Sequence, residues 1–295
     1  MQGKRMGERG VDWNDQADMY SEFVFCELED TRSYLDAIGV SGMDSVLDVC
    51  CGPGRVSVLC AERGARVTGI DSAEKMLAHA RANAAAMGVS DNCDFRLLDW
   101  NHVLPKQNLH QHDVVIASRC GAMMDTEKLS ALARRTVGVQ IFANAPSIPA
   151  LLGVLFSGCG DGSIPDRGGS REVSNAIKQE AGTQCMGGPM GMSSGFSGSG
   201  PRPDGPDAKQ SIYLKIAEKA FLAGYDPNIR ILPERFRKTF ASEEEAIAWV
   251  AALKPERSEG DMERLALNVA PFLKPVDGGV EFCIATKAAI IWWDV

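Results

Sequence analysis

The chain has 295 residues, of which 45% are hydrophobic and 24% charged, a composition typical of a soluble globular protein. Its net charge of -8 disfavours a surface shaped for the nucleic-acid backbone. No apolar run approaches the roughly 20 residues that span a bilayer, and the first residues show no signal peptide. The nine cysteines include no CxxC pair, so we expect reduced thiols in a cytoplasmic protein without a membrane or nucleic-acid partner.

The first patterned segment runs from Trp13 to Val40, where apolar residues recur at helical spacing between charges. This pattern predicts an N-terminal helical cap over residues 1–40. Within the cap, Trp13 and Tyr20 have two interpretations: they form a lid that folds over a ligand, or they pack the helix onto the core. The residues alone leave both interpretations open.

From residue 41 to residue 156, short apolar runs alternate with helical segments. The expected strands, in chain order, are SVLDVC, ARVTGID, CDFRLLDW, HDVVIASRC and VGVQIFANAP. The expected helices are RVSVLCAERG, SAEKMLAHARANAAAMG and TEKLSALARRT. Because this alternation allows only parallel pairing with right-handed crossovers, it predicts a doubly wound, Rossmann-like α/β sheet with helices on both faces.

The composition changes after residue 156. Residues 157–210 are rich in Gly, Ser and Pro and predict a flexible insertion, for which a passive surface loop is favoured over a substrate lid. Residues 211–295 are expected to complete the same domain, with an extended stretch at NIRILPERFRKTF between helices. The final residues, VEFCIATKAAIIWWDV, predict two strands joined by a short turn.

Functional residues are expected at the carboxyl ends of the strands, where open α/β sheets bind ligands. The residues found there are Asp48, Gly52 and Gly54 after the first strand, Asp71 after the second, Asp99 and Trp100 after the third, and Ser118 and Arg119 after the fourth. Glycines let the backbone approach a ligand closely, and Asp71 is placed to accept hydrogen bonds from both hydroxyls of a ribose.

Two details distinguish the expected ligand from a dinucleotide. The turn lacks the third glycine of a GxGxxG fingerprint, since Ser57 stands there. Asp48 places a carboxylate before the turn, which would repel a pyrophosphate and attract an ammonium group. The residues therefore predict an adenosine with a cationic amino-acid tail, as in S-adenosylmethionine. Cys50 and Cys51 have no second pair at metal-ligand spacing, so we expect small buried residues and no metal site.

The sequence resembles the class I S-adenosylmethionine-dependent methyltransferases over about residues 40–120. VLDVCCGPGR resembles the first motif of that family, VTGID its second-strand acid and FRLLDW its adenine-binding motif, in the family's order and spacing. Cys50 departs from the pattern, because the family usually has glycine at that position. The resemblance implies a mostly parallel seven-stranded sheet with an antiparallel C-terminal strand.

The resemblance also implies roles for the matching residues. Asp48 would lie near the methionine amine, directly or through water, and Asp71 would hold the ribose hydroxyls. The other implied cofactor contacts are Cys50, Gly52 and Gly54 along the methionine and ribose, Ser72 and Met76 at the adenine, Asp99 and Trp100 at its amino group, and Ser118 after the fourth strand. For Asp71 and Asp99 the alternative is helix capping or loop solvation, and for Met76 it is core packing.

Three functions are compatible with these residues. The first is methyl transfer to a small-molecule acceptor by direct in-line displacement, and the second is methyl transfer to a protein or another macromolecule. The third is a non-catalytic cofactor-binding module. His102 is a candidate general base at the functional edge, with a solvated loop position as the alternative. Arg119 is a candidate to pair an acidic group of the acceptor, with a surface salt bridge as the alternative.

Overall fold

The computed structural model describes residues 12–143, 148–159, 211–253 and 259–295. The helices are α1 (Trp13–Val24), α2 (Leu28–Ala37), α3 (Arg55–Glu62), α4 (Glu74–Ala86), α5 (Thr126–Leu132), α6 (Ile148–Leu155), α7 (Ile212–Leu222), α8 (Glu243–Ala252) and α9 (Glu259–Val269). The strands are β1 (Ser45–Val49), β2 (Arg66–Asp71), β3 (Cys93–Leu97), β4 (His112–Ser118), β5 (Ala133–Phe142), β6 (Asn228–Phe240), β7 (Leu273–Val276) and β8 (Gly279–Asp294). The predicted insertion at 157–210 lies outside the described residues except for 157–159.

The described strands form one sheet in the order β3-β2-β1-β4-β5-β8-β6, with β7 paired to the first residues of β8. The strands β1 to β5 run parallel, and β6, β7 and β8 pair antiparallel. The predicted mostly parallel α/β sheet is therefore confirmed. The strand order reverses between β1 and β4, so the carboxyl ends of these two strands border the crevice in which such sheets bind ligands.

The C-terminal part of the sheet differs from the prediction. The sheet has eight strands, and the last of them is a single strand rather than a hairpin. The strand β8 runs unbroken through 16 residues because β5 and β6 pair with its two edges. The hairpin turn lies earlier, at Asp277 and Gly278 between β7 and β8, where Gly278 has a left-handed φ of 81°. An Asp-Gly pair favours this kind of two-residue turn.

The helix predicted over TEKLSALARRT is shorter than expected. The helix α5 ends at Leu132, and β5 begins at the next residue. The two arginines that follow form ion pairs from the start of β5: Arg134 with Asp113 at 2.9 Å, and Arg135 with Asp44 at 2.8 Å. The pairing of β5 with β4 overrides the local helix propensity of this segment.

The helices predicted for the N-terminal segment are present from residue 13 onward. Asp12 caps α1 by accepting a hydrogen bond from the amide of Asn14 at 3.0 Å. A 3-10 turn at Phe25–Glu27 separates α1 from α2, so the segment is broken into two helices. This turn becomes important at the functional site, because it lies beside the carboxyl ends of the strands.

Helices pack on both faces of the parallel strands. The helices α2, α3 and α4 bury Leu35, Leu59 and Leu77 on one face, and α5 and α7 bury Leu129 and Ile216 on the other. A third apolar cluster joins α1, α6, α8 and α9 to the antiparallel strands. The N-terminal helix therefore packs against elements from the opposite end of the chain.

Replacement of Phe236 tests this third cluster. Phe236 is fully buried on β6 and stacks on Phe23 of α1, with ring centroids 4.5 Å apart. We expect Phe236→Ala to lower the free energy of unfolding by about 3–5 kcal/mol, because it leaves a cavity between α1 and the sheet. Phe221→Ala is the control, since Phe221 is 65% exposed. Urea denaturation measures both variants, and equal small losses would contradict the packing described.

Candidate active site

The turn after β1 has a backbone conformation that favours glycine. Cys50, Gly52 and Gly54 all have a positive φ, of 54°, 54° and 82°. A Cβ on Gly54 would lie 3.1 Å from the Cβ of Ala80, so this glycine lets the turn pack closely against α4. Cys50 adopts the left-handed conformation in spite of its side chain, which costs about 1–3 kcal/mol. The departure from glycine at position 50 is therefore accommodated with backbone strain.

Gly52 presents its α-carbon to the crevice. A Cβ at this position would meet only the Tyr20 ring at 3.8 Å and the Met76 sulfur at 4.0 Å, with no backbone nearer. Met76 is buried under the turn together with Ala17 of α1. No other backbone segment therefore crowds Gly52, and the Tyr20 ring lies next to it.

Asp71 at the end of β2 fastens this turn. Its Oδ2 accepts a hydrogen bond from the amide of Gly52 at 2.9 Å, and its Oδ1 accepts one from the amide of Ala73 at 2.9 Å. Burial raises the pKa of Asp71, although the amides of Ala73, Gly52 and Ser72 oppose the rise. Each carboxylate oxygen keeps a second lone pair, so Asp71 retains the capacity to accept from two hydroxyls. Ser72 itself is exposed.

Asp48 lies beneath the turn and does not line the crevice. It is 1% exposed in β1, and Ser57 of α3 donates a hydrogen bond to its Oδ2 at 2.6 Å. Burial raises the pKa of Asp48 to about 6, against the opposing effects of the Ser57 bond and of Arg55. The Asp48 carboxylate is therefore too buried to contact a ligand in the crevice directly. Its charge can act on such a ligand only through the residues of the turn.

The end of β3 is a capped 3-10 turn. The Asp99 carboxylate accepts from the amide of Asn101 at 2.8 Å, which is the capping role considered as its alternative. Trp100 is buried, and its indole Nε1 donates to Asp125 Oδ2 at 2.7 Å. Lys128 lies over the Trp100 ring, 4.3 Å from the centroid. His102 is exposed at the end of this turn, so no surrounding packing orients its imidazole.

Arg119 does not offer a free guanidinium to an acceptor. Its Nη1 and Nη2 both pair with Glu27 of the 3-10 turn, the second at 2.7 Å, and Nη2 also pairs with Glu234 of β6 at 2.5 Å. The guanidinium carbon lies 4.3 Å from the centroid of the Phe142 ring. The expectation that Arg119 binds an acidic group of the acceptor, or forms a surface salt bridge, is wrong because both carboxylate partners are buried within the chain.

Ser118 belongs to the same buried network. Arg55 Nη2 donates to Ser118 Oγ at 2.7 Å, and Ser118 Oγ donates to Gln140 Oε1 at 2.9 Å. Gln140 Nε2 in turn donates to Glu234 Oε1 at 2.8 Å. Ser118 is therefore engaged by side chains of the protein. Burial raises the pKa of Glu234 to about 7, although the charge of Arg119 opposes the rise.

Sequence reasoning missed Glu27, Glu234 and Gln140. The only signal was a charged residue inside an apolar stretch, as in FVFCELED and RILPERF. Charged residues with apolar neighbours are also common on solvent-exposed faces, so this sequence pattern does not predict that Glu27 and Glu234 contact the same arginine. Arg55 directly follows the glycine turn, yet its position gave no indication of a buried ion-pair partner.

The helix α1 covers the turn. The Tyr20 ring lies over Gly52, and Trp13 contacts it edge-on with ring centroids 5.5 Å apart. Asp18 and Asn14 fasten α1 to α4: the Asp18 carboxylate lies 2.7 Å from His79 Nε2, and Asn14 Oδ1 accepts from the amide of Lys75 at 3.1 Å. Tyr20 also packs against two buried clusters of the core, so core packing holds for Tyr20, while its ring also lies beside Gly52.

Two hollows lie elsewhere on the protein. One of about 520 Å³ lies between the start of α5 and the end of α7, and one of about 340 Å³ lies beside His112 at the amino ends of the strands. Neither hollow is lined by residues of the glycine turn. The crevice is therefore identified by the backbone geometry of that turn and not by the volume of a cavity. Within the described ranges, no three His, Cys, Asp or Glu side chains are arranged to hold a metal ion. No described helix is long and apolar enough to cross a membrane.

Comparison with known proteins gives the class of the central segment. A family profile described as "Methyltransferase domain" matches residues 46–139. Trans-aconitate 2-methyltransferase of Escherichia coli O157:H7 is 31% identical over 109 residues, which are 36% of this chain and 39% of that protein. The tRNA (uracil-5-)-methyltransferase homolog B of Mus musculus is 36% identical over 75 residues, which are 25% of this chain and 15% of that protein.

Among solved structures, a putative methyltransferase from Bacillus halodurans aligns with 90% of this chain and 98% of its own, at 16% identity and a TM-score of 0.45. The chain spans less than two fifths of the length of either curated relative. The matched segment contains β1 to β4, the glycine turn and most of β5. Residues 46–139 therefore match a methyltransferase-domain family, in agreement with the predicted resemblance to the class I S-adenosylmethionine-dependent methyltransferases. The cofactor of that class is S-adenosylmethionine, as the residues predict.

Replacement of Asp48 by asparagine tests its buried charge. The folded-state pKa of about 6 lies above the ordinary 3.8, so stability contributed by the protonated form is lost as the pH rises from about 4 to about 6. Asp48→Asn keeps the shape and removes that loss. We expect it to exceed the wild type by about 2–3 kcal/mol in free energy of unfolding at pH 8 and to match it at pH 4.

Urea denaturation at the two pH values measures this difference. The exposed Asp91 provides the control, since Asp91→Asn should not change the pH dependence. If Asp48→Asn is no more stable than the wild type at pH 8, burial of the Asp48 carboxylate beneath the turn does not lower the free energy of unfolding, and this interpretation is contradicted.

Proposed function

We propose that this protein is an S-adenosylmethionine-dependent methyltransferase that transfers a methyl group to a small-molecule acceptor by direct in-line displacement. The observation that carries this proposal is the open Gly52 backbone beside the Asp71 carboxylate at the point where the strand order reverses. A ribose can be held there by the acid while the amino-acid tail follows the turn.

The residues of the crevice suit the parts of this cofactor. Asp71 accepts from the ribose hydroxyls with its remaining lone pairs, and Gly52 allows the backbone to approach the methionine portion. The exposed Ser72 is proposed to contact the adenine and Asp99 to accept a hydrogen bond from its amino group, whereas Met76 is 2% exposed and packs in the core with Ala17, the alternative considered for it. The Asp48 charge, beneath the turn, favours the ammonium end of the tail over a pyrophosphate.

Bound S-adenosylmethionine supplies a methyl group already activated by a sulfonium. The protein then has to align the acceptor and exclude water, which contributes up to about 7–11 kcal/mol to lowering the barrier. Tyr20 and Trp13 cover the turn and suit the exclusion of water. Burial raises the pKa of the Tyr20 phenol, which disfavours its phenolate form. Transfer of this kind needs no general base unless the acceptor must lose a proton.

Two observations support a small acceptor over a macromolecule. The helix α1 covers the turn, since the Tyr20 ring lies 3.8 Å from a Cβ placed on Gly52. The net charge of -8 disfavours the approach of a polyanion such as RNA. The matched relatives include a trans-aconitate methyltransferase and a tRNA methyltransferase. The covered turn and the negative charge agree better with a small acceptor, as named for the first, than with an RNA.

Removal of the Asp71 carboxylate tests the cofactor assignment. Asp71→Ala leaves two ribose hydroxyls and the Gly52 amide without an acceptor. We expect calorimetric binding of S-adenosylhomocysteine to weaken by about 1–3 kcal/mol. Asp226→Ala is the control, because Asp226 is an exposed loop residue far from the turn in sequence. Unchanged affinity in the Asp71 variant would count against the ribose role.

Turnover across an acceptor panel tests the substrate class. The wild-type chain is incubated with S-adenosylmethionine and with small carboxylic acids, amines, phenols or thiols, or with total tRNA or unfolded protein. We expect S-adenosylhomocysteine to form with at least one small acceptor and not with the macromolecules. Turnover on tRNA or protein alone would replace the small-acceptor assignment, and binding without turnover on any acceptor would favour a non-catalytic module.

A further inference from the structure

Four charged side chains meet in the protein interior beside the crevice. They are Glu27, Arg55, Arg119 and Glu234, and their side-chain exposures are 0%, 7%, 5% and 1%. We call this group the charged cluster. Its members come from four segments: the 3-10 turn at Phe25–Glu27, the first turn of α3, the residue after β4, and β6. Two positive and two negative charges make the cluster electrically neutral when all four are ionised.

Glu27 is the centre of the charged cluster. Its carboxylate pairs with both terminal nitrogens of Arg119 and lies 3.2 Å from Arg55 Nε. Arg55 Nη1 donates to the hydroxyl of Thr31, which itself donates to the backbone carbonyl of Glu27 at 3.1 Å. Glu27, the charged residue of the 3-10 turn, is therefore bonded to Arg55, which follows the glycine turn, and to Arg119, which follows β4.

Such a cluster fixes position more than it adds stability. Each buried ion costs several kcal/mol of desolvation, and well-packed apolar residues in the same place are often equally stable. Ion pairs, however, specify one arrangement of the segments that carry them. Here they join the N-terminal segment to Arg55, the residue that directly follows the glycine turn. Arg55, the arginine of the GPGR sequence, thus connects the glycine turn to the N-terminal segment through Glu27.

The arrangement acts on the crevice through Tyr20. The helix α1 continues directly into the 3-10 turn that carries Glu27, so the turn determines where the end of α1 lies. Tyr20, in the last two turns of α1, then lies over Gly52 and Met76. The ion pair that ties α1 to α4 involves the exposed Asp18 and is therefore weak in water. The other ties of α1 to α4 are hydrogen bonds of Asn14 and Ser21 and the packing of Ala17.

We propose that Glu27 is a positioning residue: by holding the 3-10 turn against Arg55 and Arg119, it places Tyr20 against the bound cofactor. This inference rests on the proposed function, because it assumes a cofactor at Gly52. Glu27 itself touches neither cofactor nor acceptor. Tyr20 is the contact residue through which the charged cluster affects affinity.

A double-mutant cycle on the full chain tests this proposal. The variants are Glu27→Gln, Tyr20→Ala, the two combined, and the control Asp15→Asn, at an exposed aspartate of α1. Calorimetry measures the Kd of S-adenosylhomocysteine, and circular dichroism checks that each variant is folded. We expect Glu27→Gln to raise Kd about tenfold. The combined variant should bind no more weakly than Tyr20→Ala, because the loss of Tyr20 removes what Glu27 positions.

Amide hydrogen exchange gives a second readout. Exchange across Trp13–Val24 should become faster in Glu27→Gln and stay unchanged in Asp15→Asn. If Glu27→Gln does not fold, Thr31→Val removes the hydroxyl that links Arg55 to Glu27 and should show the same pattern more weakly. A Kd equal to the wild type in the folded variant, or losses that multiply in the combined variant, would overturn the positioning role. A wild-type chain that does not bind S-adenosylhomocysteine would instead overturn the proposed function.

Discussion

The Asp71 carboxylate joins the two strand ends on which the crevice is built. It accepts the amide of Gly52 after β1 and the amide of Ala73 at the start of α4, both at 2.9 Å. Without this anion, the left-handed backbone of the glycine turn would have no partner for the Gly52 amide next to the crevice. The same anion is the group that we propose recognises the ribose. The turn geometry and the ligand chemistry therefore depend on one side chain.

Charge is buried around this crevice at a cost to stability. Burial raises the pKa of Asp48 to about 6 and that of Glu234 to about 7, so both carboxylates would be more stable in water. Perturbed acids of this kind concentrate at functional sites. Asp48 is bonded to Ser57 beneath the turn, and Glu234 is paired with Arg119. The protein thus retains charges that a purely structural core would replace.

The features that the sequence predicts correctly are local. The glycine turn, Asp71 at the end of β2 and the parallel strand pattern each depend on a few neighbouring residues, because backbone conformation and strand length are specified there. The errors involve contacts between distant segments. The single strand β8 depends on pairing with both β5 and β6, and the burial of Arg119 depends on Glu27 and Glu234, more than 90 residues away in either direction. No local pattern reports which distant residue an arginine meets.

A crystal structure of the chain with S-adenosylhomocysteine tests the central claim most directly. The account predicts both ribose hydroxyls within hydrogen-bonding distance of the Asp71 carboxylate, with the amino-acid tail along Gly52 and the Tyr20 ring against the ligand. A ligand bound elsewhere, or an Asp71 carboxylate that still accepts only from the two backbone amides while the ribose faces away, would contradict it.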